Sequence, residues 1–205
     1  MYADDSKVEG GNMNFVFKVK LVLVVVTLFV SNLGLTQTVN QIQYFAGVDD
    51  VGLPGRNDNG IPNFQKTTDS IYRGGRPTDQ GLQFLKKSGF KTIINLENNS
   101  QAISKEMEAA KKLGLQMYSS PMSWQTTPDD KQVNAILAAL KNSQMYPIFI
   151  HCHYGRDRTG LIIGLYRVLV QKWPAKEAYS EMLKYGFNTQ FKALDNYYRA
   201  KTNMR

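Results

Sequence analysis

One cysteine, Cys152, stands in a chain of 205 residues, so no internal disulfide can form. Histidine is almost as scarce: the two present, His151 and His153, flank that cysteine. Successive residues at a strand end point opposite ways, so His151, Cys152 and His153 cannot all turn to one ion, and neither a metal nor another cofactor is expected. The uncharged run Leu21 to Leu35 falls short of the ~20 apolar residues that a spanning helix needs, which argues against a stable membrane anchor. No internal repeat or low-complexity segment is visible, which excludes solenoid and fibrous classes.

What is present near the N-terminus is a short export pattern. Lys18 and Lys20 precede the apolar Leu21 to Val30, and Ser31, Asn32 and Gly34 follow, the layout of a signal peptide. Residues 1–36 are therefore expected to be an export segment, with Met13 as a possible start and a cut near Thr36 or Gln37, and the protein to be periplasmic or secreted. A buried core element is the alternative. The three basic and three acidic residues of that segment cancel, so the net charge of +8 belongs to the remainder. Such a surface draws in anions without choosing among them. In an exported chain an unpaired cysteine is a liability unless it is used, which directs attention to Cys152.

Residues 37–69, rich in Asn, Gly, Gln and Asp, read as an irregular lead-in packed on a domain of residues 70–205. In that domain strand-like runs (Ile71–Arg73, Thr92–Leu96, Leu115–Tyr118, Pro147–His151) alternate with helical stripes. Leu82 and Leu85 form one stripe, closed by Gly89, and Ile103, Met107 and Ala110 another, closed by Gly114. Val133, Ile136, Leu137 and Leu140 form a third. Gly160 to Leu169 is apolar nearly all round and suits a buried helix. Two more helices carry Ala178, Tyr179, Met182 and Leu183, then Leu194, Tyr197 and Tyr198. The alternation predicts an α/β domain with a central, mostly parallel sheet flanked by helices, and sites at the carboxyl ends of its strands.

Cys152 falls at such an end, after Ile148-Phe149-Ile150-His151, and Arg158-Thr159 opens the next helix. A tight loop of backbone N–H groups at a helix N-terminus converges on a phosphate dianion. Gly155 lets the chain turn tightly enough. Arg158 supplies a planar fork for two phosphate oxygens. A positive nest favours a cysteine thiolate, the attacking form, and Thr159 can donate its hydroxyl to the sulfur as it leaves.

The string HCHYGRDRTG resembles the C-x5-R-[Ser/Thr] signature of the protein tyrosine phosphatase superfamily, most closely its dual-specificity-like branch. The upstream IYRGGRPTDQGLQFLKKSGFKTIINLE is similar to the opening of its atypical, plant-and-fungal and bacterial members, and the likeness covers about residues 70–200. It implies a cysteine phosphatase fold and hydrolysis of phosphate monoesters through a phosphocysteine. It also implies that His151 orders the loop by hydrogen bonding and that His153 forms pocket wall. A general acid must protonate the leaving group. Asp129 and Asp130 in SWQTTPDD are candidates, although Thr127-Pro128-Asp129-Asp130 also reads as an ordinary helix start capped by Thr127. Asp157 is the rival, resembling a loop aspartate assigned that role in bacterial relatives.

For substrate, His153, Arg156 and Arg158 near the loop, with Arg73 and Arg76 in the YRGGRP turn, would make a strongly basic pocket. That points to inositol polyphosphates or phosphoinositides, as in phytase-like and inositol-pyrophosphate relatives. Phosphotyrosine peptides are the alternative, with Tyr154 or Trp124 as aromatic wall. A phosphate-binding module without turnover is a third reading. The export pattern argues against a nucleic-acid partner.

Overall fold

The computed structural model describes residues 59–205. The expected export segment, residues 1–36, and most of the lead-in lie outside the described residues. Among the described residues no helix is long and apolar enough to cross a membrane.

The sheet contains β1 (Gln65–Lys66), β2 (Ile71–Gly74), β3 (Thr92–Asn95), β4 (Gln116–Ser119) and β5 (Ile148–His151) in the order β1-β2-β5-β3-β4. Only β1 is antiparallel; β2, β5, β3 and β4 run parallel, with Gly74 and Asn95 both in register with His151. Among the described residues six α-helices flank it: α1 (Asp79–Lys87), α2 (Ser100–Lys112), α3 (Asp130–Lys141), α4 (Asp157–Leu165), α5 (Ala175–Lys184) and α6 (Lys192–Thr202). The expected mostly parallel α/β layering is what the chain adopts.

Strand alternation divides the core in two. Ile148 and Ile150 face α3 to α6 with Ile71, Ile94 and Leu140, whereas Phe149 faces α1 and α2 with Tyr72, Ile93, Leu82 and Leu85. All are nearly inaccessible to water, and each is worth roughly 1.5–3 kcal/mol of transfer free energy.

Four expectations need correction. The stretch before Ser70 is not merely irregular: Gln65–Lys66 pairs with β2, and Ile61 and Phe64 are buried in the second core. On α2 the buried positions are Glu106 and Ala110, while Met107 is 42% exposed; periodicity misassigned this face because Glu106 has polar partners inside. Leu183 and Leu169 are also exposed, and α4 gives way after Leu165 to a π-helical turn, Tyr166–Val170, rather than continuing unbroken. The cap of α3 is Asp129, not Thr127: its carboxylate accepts from the Gln132 N–H at 2.9 Å.

Candidate active site

Three adjacent parallel strands end together, and their carboxyl ends carry the site. β5, in the middle, leads into Cys152, and the loop to Arg156 returns at the N-terminus of α4. Cys152 is 2% exposed and Gly155 takes φ +69°. An added Cβ on Gly155 would lie 2.2 Å from the Gly74 carbonyl carbon, so the loop passes against the end of β2. The Arg76 N–H donates to the His153 carbonyl at 3.1 Å, and Asn63 Nδ2 donates to the Tyr154 carbonyl at 2.8 Å, and both contacts brace it. Asn63 belongs to the lead-in to which the sequence assigned no function.

Among the described residues the backbone N–H groups of His153, Tyr154, Gly155 and Arg156 have no acceptor within the protein. Arg158 is oriented by a single nitrogen: Nη1 donates to Asn98 Oδ1 (3.2 Å), the Met122 carbonyl (3.3 Å) and the Leu96 carbonyl (3.4 Å). Its Nε and Nη2 have no hydrogen-bond partner among the described residues, so one planar edge of the fork is unused. Arg158 borders a hollow of about 360 Å³. Arg76, Glu97, His153 and Asp157 are its other charged or ionisable walls, and Trp124, Tyr154 and Phe191 its aromatic ones. Trp124 and Phe191 contact each other with ring centroids 4.7 Å apart.

Arg73, expected at the substrate, is elsewhere. It is 1% exposed beneath the loop, where Nη2 donates to the Gly155 carbonyl at 2.8 Å and the guanidinium lies 4.8 Å from the Tyr185 ring centroid. Burial is the main cause lowering its pKa to about 10, which leaves it a cation at neutral pH. It supports the loop from below and cannot reach a ligand in the hollow. Arg156 is exposed, 5.9 Å from the Tyr154 ring centroid, and is not among the residues lining the hollow. Thr159 Oγ1 is buried and makes no hydrogen bond among the described residues, to Cys152 Sγ or otherwise.

Of the acid candidates, Asp129 is engaged as the cap of α3. Asp130 accepts from Tyr197 Oη (2.9 Å) and Lys201 Nζ (2.6 Å) on α6. Asp157 alone borders the hollow. Its Oδ1 accepts from the Asn188 N–H at 2.8 Å. Burial raises its carboxyl above the ordinary range, outweighing that bond and the nearby Arg158 and Arg156 charges.

The resemblance implied that His151 orders the loop; the buried carboxylate and amide it works with were not read from the sequence. His151 Nε2 donates to Glu106 Oε1 at 2.8 Å, and its Nδ1 lies 3.3 Å from the Cys152 carbonyl. Asn95 Nδ2 donates to Glu106 Oε2 at 3.1 Å, and the Glu97 N–H donates to Asn95 Oδ1 at 2.7 Å. Ligand-type atoms of Glu97, Glu106 and His151 lie within 4.8 Å of one another. Hydrogen bonds to Arg76, Asn95 and each other occupy them, so they form an internal polar chain rather than an open coordination sphere. Glu97 was findable, since a charge two residues after the strand Thr92–Asn95 falls at the carboxyl edge where sites form. Glu106, inside a helix, carried no such signal.

Acceptor-free backbone N–H groups, a guanidinium with an unused edge and a buried cysteine at the end of a central parallel strand make up the candidate site, on a fold of the cysteine phosphatase, dual-specificity-like class. Residues 36–199 match the family described as "DSP-PTPase phosphatase fused to NAD+ Kinase", and the chain belongs to that family. It is similar to the dual specificity protein phosphatase TpbA of Pseudomonas aeruginosa (strain UCBPP-PA14), 25% identical over 129 residues, 62% of this chain and 56% of the relative. The chain thus spans little more than half of that relative's length. An inositol diphosphatase of Arabidopsis thaliana is 30% identical over 60% of this chain and 61% of its own. The crystal structure of the core catalytic domain of the PP-IP phosphatase SIW14 from S. cerevisiae shares the fold with a TM-score of 0.57 and 26% identity, over 69% of this chain and 93% of that one.

Proposed function

We propose that this chain hydrolyses phosphate monoesters through a phosphocysteine. The Cys152 thiolate attacks phosphorus, forming the S–P bond as the ester P–O bond breaks, and the departing oxygen takes the Asp157 proton. Water then gives a proton to the Asp157 carboxylate and attacks phosphorus, the S–P bond breaks, and inorganic phosphate leaves with the thiolate restored. One observation carries this reading: the acceptor-free N–H groups of His153 to Arg156 and the unused Nε/Nη2 edge of Arg158 belong to the same loop-and-helix start, which borders the hollow. Together they supply what a trigonal phosphoryl group in flight requires.

Asp157→Asn should lower kcat on a poor leaving group such as an alkyl phosphate by about 10²–10⁴-fold and spare p-nitrophenyl phosphate. Because burial raises the Asp157 carboxyl, the acid form persists to higher pH than for an exposed aspartate. The rate should then fall as pH rises through that ionisation, an alkaline limb missing from Asp157→Asn. Equal losses on both leaving groups would remove Asp157 from the acid role.

Aryl phosphates, phosphotyrosine included, are the substrate class we infer. Three aromatic side chains border the hollow, while Arg73 is buried beneath the loop and Arg76 is paired with Glu97. The likeness to a plant inositol diphosphatase favours a second reading, inositol polyphosphates or phosphoinositides. A panel measuring phosphate release from p-nitrophenyl phosphate, a phosphotyrosine peptide, an inositol polyphosphate and a phosphoinositide decides between them. We expect kcat/KM to favour the aryl esters by at least about tenfold; the reverse order selects the second reading.

A further inference from the structure

A second phosphate on a substrate would need a second cation, and the hollow's spare cations are already directed at Glu97. Arg76 Nε donates to Glu97 Oε1 at 2.6 Å and Arg76 Nη2 to Oε2, the planar fork that guanidinium makes with a carboxylate or a phosphate. His153 Nδ1 lies 3.6 Å from the same Oε2. Glu97 itself is only 2% exposed. Its backbone is tied through Asn95 to Glu106 and so to His151, which fixes the carboxylate in position.

We infer that Glu97 is a specificity residue: its carboxylate takes the place of a second phosphate between Arg76 and His153, so the site admits a lone phosphate group and rejects polyphosphorylated compounds. The inference rests on the phosphatase reading above and narrows its substrate class. A lone phosphate meets the amides of His153 to Arg156 and the edge of Arg158 without disturbing Arg76. A polyphosphate must either break the Arg76–Glu97 fork, leaving a buried carboxylate unpaired, or lie against that carboxylate. Both costs fall on the polyanion alone, which is how a repulsive group creates selectivity. The charge around the hollow agrees: two guanidiniums, Arg76 and Arg158, face two carboxylates, Glu97 and Asp157, with His153 as the other basic side chain. Burial by itself would raise the Glu97 carboxyl, but the hydrogen bond and charge of Arg76, with smaller help from His151 and His153, hold it below the ordinary range. Its negative charge therefore persists through neutral and mildly acidic pH.

The test is calorimetric titration of wild type and Glu97→Gln with inorganic phosphate and with inositol hexakisphosphate, alongside kcat/KM for p-nitrophenyl phosphate and the hexakisphosphate. Wild type is expected to bind the hexakisphosphate no more than a few-fold more tightly than inorganic phosphate. In Glu97→Gln the hexakisphosphate-to-phosphate affinity ratio should rise on the order of tenfold, with a steeper salt dependence. An unchanged ratio in Glu97→Gln, or a wild-type preference for the hexakisphosphate beyond about a hundredfold, overturns the inference. Should Glu97→Gln fail to fold, the wild-type ratio alone decides. Titrations need no turnover, so the two readings fail separately. Selective binding without phosphate release defeats the enzyme, and rapid turnover of polyphosphates defeats the role of Glu97 only.

Discussion

Gly155→Ala is expected to cost both fold and activity, about 3 kcal/mol of stability and at least a hundredfold in turnover. A methyl group there would lie 2.2 Å from the Gly74 carbonyl carbon and 2.3 Å from its oxygen, with the Gly75 nitrogen at 2.6 Å. All three are backbone atoms of a strand end that pairs with β5, so no side chain can turn aside to make room. The φ of +69° adds a left-handed penalty for any residue with a Cβ, roughly 1–2 kcal/mol, on top of about 1–3 kcal/mol for overpacking. Melting by calorimetry should show a Tm lower by roughly 6–12 °C. The activity loss follows from geometry: pushing the loop off β2 by even about 1 Å moves the His153 to Arg156 amides, and displacements of that size cost on the order of 10²-fold. Wild-type Tm and turnover in Gly155→Ala would refute the close approach.

Cys152→Ser should separate binding from chemistry more cleanly. Serine is nearly isosteric but keeps its proton at neutral pH, so the nucleophile is lost while the amide nest and Arg158 stay in place. Phosphate release from p-nitrophenyl phosphate should fall at least about a thousandfold, and calorimetric affinity for inorganic phosphate should change by no more than a few-fold. Acid quenching of the wild-type reaction should trap phosphate on Cys152, and the variant should trap none. A variant that retains its rate would mean another nucleophile and would end the phosphocysteine mechanism.

The strands and most helices were legible because their residues bury in the period their geometry demands. Ile148, Phe149 and Ile150 alternate between two cores, and Val133, Ile136, Leu137 and Leu140 line one helical face. The cysteine loop was legible because its chemistry is local in sequence. What escaped notice depends on contacts between distant segments. Arg73 looks like a pocket cation until β2 is seen to run beneath Gly155, and Arg76 looks free until β3 brings Glu97 against it. Asp129 and Asp157 are both acids at helix starts. Only the tertiary arrangement sets one on α3 as a cap and the other at the hollow. Asn63, in a stretch with no periodicity, reaches across 91 residues to hold the loop.

The strand that carries the nucleophile enters the sheet between two that precede it in the chain. Ile71–Gly74 and Thr92–Asn95 share no edge; each pairs with Ile148–His151, which alone links the two halves of the sheet. The pairing of Ile71–Gly74 with Ile148–His151 joins distant parts of the chain, a long-range contact of the kind that slows folding. The pairing that unites the sheet and the placement of the sulfur therefore depend on the same contacts, and a change that loosens one loosens the other.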